Sequence, residues 1–153
     1  MATTRIVTAA LLGAAAACGI TDSRDSSNLA FEIREGYYVN DPPPAPQIVL
    51  LVETETQFPC MNYGLESDLV IAGTVLRVNA SNRITKPEVC LTAIGPAGYR
   101  VALPVGVGSY TLEFVRDGVI DRYGVTITDA AIEITIEDAH FTHPKAVSFP
   151  RGS

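Results

Sequence analysis

From Gln47 onward, apolar and polar side chains alternate in short runs, the period-two pattern of strands buried on one face. Ile48-Val49-Leu50-Leu51-Val52 is a continuous apolar run rich in β-branched residues and predicts a strand buried on both faces. Val70, Ala72, Thr74, Leu76 and Val78 predict one face of a second strand, with Gly73 as a candidate bulge. Val89 to Ile94 predicts a third strand. Tyr99, Val101, Leu103 and Val105, alternating with Arg100 and Ala102, predict a fourth. In the last third, Tyr110, Leu112 and Phe114 alternate with Thr111 and Glu113, and Tyr123, Val125 and Ile127 share one side of the run Val119 to Thr128. Asp117-Gly118 between these runs predicts a hairpin, because a type I′ turn needs positive φ at both central residues. Ile132, Ile134 and Ile136 alternate with Glu133, Thr135 and Glu137, a half-buried strand with a charged outer face. Leu29 to Arg34 predicts one more short strand upstream. With no amphipathic helical pattern, about seven strands separated by turn signals predict an all-β sandwich or small barrel.

The N-terminus follows a different pattern. Arg5 precedes an uncharged apolar stretch, Ile6 to Ala17, the form of a secretory signal helix over residues 1–17. The stretch falls short of the roughly 20 apolar residues that cross a bilayer. Its end, Leu12-Gly13-Ala14-Ala15-Ala16-Ala17-Cys18, resembles a bacterial lipobox, although Ala15 stands where that family usually has Leu. The resemblance implies that Cys18 becomes the first residue of the mature chain and carries lipid. Ala15-x-Ala17 also suits ordinary signal peptidase, and that alternative stays open.

Three cysteines, Cys18, Cys60 and Cys90, leave one over in an exported chain. Giving Cys18 to lipid leaves Cys60 and Cys90 to pair in an oxidising compartment, a link worth about 3–4 kcal/mol. Residues 18–46 read as a tether. Thr21 to Asn28 is small and polar, and Pro42-Pro43-Pro44-Ala45-Pro46 favours an extended spacer. Residues 47–150 are left as the β domain of a 153-residue chain. A net charge of −6 argues against nucleic acid and against an anionic membrane surface as electrostatic partners.

Leu103-Pro104-Val105-Gly106-Val107-Gly108-Ser109-Tyr110-Thr111-Leu112, followed by Asp117-Gly118 and Tyr123-Gly124-Val125-Thr126-Ile127-Thr128, resembles the end of prealbumin-like and carboxypeptidase-regulatory-like domains. Two extra residues separate the first Gly from the Tyr, unless Gly108 takes that role. The resemblance implies an Ig-like antiparallel sandwich of about seven strands. It further implies an adhesive, stabilising or carbohydrate-contacting module without catalytic residues.

Candidate chemistry is sparse. Asp138, His140 and His143 are the weak metal candidates, and they converge on one ion only if a turn brings them together. Asp117, Asp121 and Asp129 lie around the hairpin without a calcium-loop pattern and are expected in turn and solvent-facing roles. Gly108-Ser109-Tyr110 is not a nucleophile elbow. Gly106-Val107-Gly108 is no phosphate cradle, because no helix follows it. Tyr37-Tyr38 are aromatics for packing or partner contact, and Asn79-Ala80-Ser81 matches a glycosylation acceptor. The expectation is a non-enzymatic lipoprotein of the cell envelope, held by an N-terminal lipid, without cofactor, and able to meet an envelope protein or glycan. The alternatives are an accessory subunit of a larger envelope complex and a small metal-dependent hydrolase.

Overall fold

The computed structural model describes residues 23–24, 27–36 and 46–152. The leader with Cys18, Tyr37-Tyr38 and the prolines before Pro46 lie outside the described residues. The described residues contain strands and no helix. The strands are β1 (Ser23–Arg24), β2 (Leu29–Gly36), β3 (Gln47–Phe58), β4 (Gly64–Ala72), β5 (Val75–Thr85), β6 (Gly95–Leu103), β7 (Gly108–Arg116), β8 (Val119–Ile127), β9 (Ala131–Asp138), β10 (Thr142–Pro144) and β11 (Ser148–Pro150).

They hydrogen-bond in the order β10-β2-β3-β6-β4-β5-β7-β8-β9-β11, with β1 on β5. The sheet curls into two facing layers. Phe31 of β2 places its ring 4.9 Å from Phe114 of β7 and 4.8 Å from Tyr123 of β8, across the core. The layers are joined within the sheet by one β4–β6 residue pair, Gly64 with Gly98. Leu29, Phe31, Ile33, Leu50 and Val52 face Leu76, Val78, Leu112, Phe114, Val125, Ile127 and Ile132, all fully or nearly fully buried. Each such side chain contributes about 1.5–3 kcal/mol of burial.

The pairing is mixed, where the sequence predicts an antiparallel sandwich. β5 and β7 are parallel, and so are β2 and β10. After β5 the chain leaves its layer so that β6 can pair antiparallel with β3, then returns to start β7 in the direction of β5. A parallel neighbour requires a crossover of this kind.

Several strands form as predicted. Ile48, Val49, Leu50 and Val52 are buried on both faces of β3. The Asp117-Gly118 turn has φ of 52° and 83°, and Val115 pairs with Ile120 beneath it. Three expectations are corrected. Residues 70–78 are two strands, because Gly73 (φ 61°) and Thr74 form a two-residue hairpin that pairs Ala72 with Val75. Positive φ at the first central residue alone is the requirement of a type II′ hairpin. Residues 89–94 make no strand, because a disulfide and the Asn62 side chain hold them in a loop. Finally, the strand inside the expected tether belongs to the domain: β2 runs antiparallel to β3 from Leu29–Thr54 to Gly36–Gln47.

Candidate functional site

Asp121 is a buried polar residue with every side-chain oxygen engaged. The sequence predicts a turn or solvent-facing role for it, but β8 alternation places it on the same face as Tyr123, Val125 and Ile127, and it is fully buried. Its Oδ1 accepts from the backbone N–H of His140 at 2.8 Å and lies 3.1 Å from that residue's Nδ1. Its Oδ2 accepts from the N–H groups of Phe141 and Thr142 at 3.0 and 2.7 Å, and from the Thr142 hydroxyl at 2.6 Å. Because the Thr142 proton goes to Asp121, the Tyr123 hydroxyl donates toward Thr142, whose carbonyl oxygen and Oγ1 both lie 2.8 Å away. The carboxylate thereby caps the turn that carries the chain from β9 in one layer to β10 in the other. Burial alone would raise the Asp121 pKa, but the Thr142 hydroxyl and the three backbone N–H groups outweigh it and hold it below the usual value. Burial, aided by the Asp121 charge, pushes the Tyr123 phenol up.

Glu113 is equally engaged. Register aligns Arg77, Glu113 and Arg122 on neighbouring strands β5, β7 and β8. Arg77 Nη2 donates to Glu113 Oε2 at 2.7 Å, and Arg122 Nη2 to Oε1 at 3.1 Å. The Arg77 hydrogen bond is the chief reason the Glu113 carboxyl is held below its usual range.

The weak metal candidates do not converge. His140 faces Asp121 and, through Nε2 at 3.6 Å, Asp138, while His143 Nδ1 lies 3.7 Å from Glu55. No group of three His, Cys, Asp or Glu side chains among the described residues is placed to hold a metal ion. Asp117 accepts from Asn82 at 3.1 Å, far from the Asp121 turn in role, so the hairpin aspartates are not one site. Asn79 donates to Asp68 at 2.8 Å. Gly108 opens β7, and the Tyr110 hydroxyl donates back to the Gly106 carbonyl at 3.3 Å, closing the 104–108 connection on itself.

Two opposite ends of the domain carry the remaining features. The twelve residues of β3 span about 40 Å between them. At one end, where the β2–β3 connection leaves the sheet, a cleft of about 460 Å³ is lined by Pro46, Ile48, Leu103, Pro104 and Val105. Its rim holds the Glu35–Arg151 ion pair at 2.7 Å, largely shielded from solvent. A neighbouring hollow is lined by Arg34, Phe149 and Pro150.

At the other end, Cys60 is bonded to Cys90, as the cysteine count predicts. Asn62 Nδ2 donates to the Val89 carbonyl at 2.7 Å, and its Oδ1 accepts from the Leu91 N–H at 3.1 Å. Met61 lies against Gly95, where any Cβ would come within 2.9 Å of the Met61 Cα. The loop is thus braced, yet Val89, Leu91, Ile94 and Met61 are 73%, 51%, 76% and 54% exposed. The sequence pattern predicts a strand over Val89 to Ile94, and these residues form an exposed loop instead. Comparison of the chain with known families, curated proteins and solved structures found no match.

Proposed function

We propose that the chain is a non-enzymatic lipoprotein of the bacterial cell envelope, anchored through Cys18, whose β domain is a binding or structural module. The observation that supports this most is the pairing of β1 with β5: Ser23, five residues after the lipobox-like Ala15-Ala16-Ala17-Cys18, already aligns with Ile84 of the domain. The domain is therefore attached through a short connection. In sequence the proline run falls between β2 and β3, after the first strands of the domain, and so does not separate the anchor from the domain. The cleft at the far end of the domain, lined by prolines and aliphatic side chains beside a shielded ion pair, is the surface offered to an envelope protein or glycan.

The buried charges favour a binding module over a hydrolase. Asp121 and Glu113 are each saturated by partners that hold the fold, and His140 and His143 turn to different carboxylates. The prealbumin-like, Ig-like reading rests on the β7–β8 hairpin and on Gly108-Ser109-Tyr110 at the start of β7. The parallel β5–β7 pair sets this chain apart from an all-antiparallel sandwich. An accessory-subunit role is the second reading. It is favoured by exposed Val70 and Ile71 near the 73–74 hairpin, also at the far end.

Cys18→Ala tests the anchor: it should abolish incorporation of labelled palmitate in a bacterial host. Labelling that persists in the variant would refute lipidation at Cys18.

A further inference from the structure

The 86–94 loop presents an unusual combination: strong bracing and strong apolar exposure. The Cys60–Cys90 bond, both Asn62 hydrogen bonds and the Met61–Gly95 contact fix its backbone. No regular structure or core contact requires its apolar side chains, since Val89, Leu91 and Ile94 point mostly to solvent. An apolar face held rigid in advance loses little conformational freedom on docking. Lys86 and Glu88 flank it with opposite charges, so the face is close to neutral.

The direction of β1 identifies what this face meets. Ser23 pairs with Ile84 and Arg24 with Arg83, antiparallel. The start of β1, Ser23, thus lies toward the C-terminal end of β5, near Thr85 and the loop that begins at Lys86. The five residues from Cys18 to Ser23 reach at most about 17 Å when fully extended. That is less than half the length of the domain. On the anchored reading, a lipid on Cys18 is therefore confined to the end of the domain that carries the loop and is out of reach of the opposite cleft.

We infer that Met61, Val89, Leu91 and Ile94 form a membrane-contacting face that dips into a lipid bilayer next to the anchored Cys18. This rests on the anchored reading above. Lipid on both the thiol and the amine of Cys18 supplies more than one acyl chain, which anchors stably without further help. The apolar face adds to that attachment by setting how the domain sits on the bilayer, since an acidic protein has little electrostatic attraction to an anionic lipid surface. The same geometry directs the far-end cleft away from the membrane.

The test uses the full mature chain on phosphatidylcholine vesicles with brominated acyl chains. The protein has no tryptophan, so one indole can be introduced at a time. Ile94→Trp and Val107→Trp both replace exposed residues, at opposite ends of the domain. Vesicles should quench the indole of the Ile94→Trp chain by at least about twofold and leave that of the Val107→Trp chain unchanged. Palmitate labelling of the same preparations reports the anchor separately. Label without preferential quenching at position 94 overturns the membrane face and leaves the anchor standing. Preferential quenching without label supports the face and removes the anchor. Absence of both overturns both. As a second measure, Val89→Asp with Ile94→Asp, on an exposed loop, should abolish hydrogen-exchange protection of residues 86–94 on vesicles while the circular dichroism spectrum stays the same. Unchanged protection contradicts the inference.

Discussion

A carboxylate on the apolar face of β8 decides how the two layers connect. Asp121 satisfies three consecutive backbone N–H groups and a hydroxyl, and without it the N–H groups of Phe141 and Thr142 would be buried and unpaired. Asp121→Ala should cost about 3–5 kcal/mol in urea unfolding, and Tyr123→Phe about 1 kcal/mol. The pH dependence has a definite sign. The folded pKa of Asp121 lies below its unfolded value near 3.8, so the unfolded chain takes up the proton first. Its stabilising contribution is full above about pH 5 and is lost as pH falls through 3.8 toward the folded pKa. Asp121→Asn should flatten the acid limb of a stability–pH profile, and a limb of unchanged steepness would assign it to other carboxylates. The signal for this residue was legible: Asp121 is in register with Tyr123, Val125 and Ile127, and a charged residue on a core face implies a buried partner set. The partners were not legible, because they lie at 140–142, and no local pattern reports that the β9–β10 turn folds back onto β8.

At the level of the element, hydrophobic periodicity was a sound guide for β3, β7 and β8, held in β9 for Ile132 and Ile134 but not for the exposed Ile136, and was misleading for two others. Val70 to Val78 keeps its alternation through Gly73-Thr74, so the period cannot reveal that the chain reverses there. Val89 to Ile94 carries strand-forming residues, but a covalent bond and one asparagine side chain override the propensity. Gly95 is the residue that lets Met61 settle onto the loop. Gly95→Ala should lower thermal stability and raise hydrogen exchange across residues 86–94 more than across β7. Removing the bridge with Cys60→Ala and Cys90→Ala together should cost about 3–4 kcal/mol. Equal stability with and without reductant would show that the bridge is not formed. Thr54 shows another limit of sequence reading. Where the β3–β6 register slips between Glu53 and Gln57, its Oγ1 accepts from the Ala97 N–H at 3.0 Å, a substitution of side chain for ladder that alternation alone does not reveal.

For the whole molecule, closure depends on long-range contacts at both ends. Phe141 and Thr142 fasten the β9–β10 crossing to β2 at one end, and Arg151 reaches Glu35 and the Thr128 carbonyl at the other. Arg151→Ala should lower stability by about 1–2 kcal/mol, because it leaves Glu35 shielded and unpaired. A change below a few tenths of a kcal/mol would mean that the C-terminal latch is dispensable. β2 acquires its second neighbour only from residues 142–144, which pair with Leu29, Ala30 and Phe31. The core therefore cannot close until residues 142–144 are available. Such distant pairings are slow to form. On the exported reading the delay is useful: the polypeptide stays threadable through a narrow translocation channel until residues 142–144 have crossed, and it locks only on the far side.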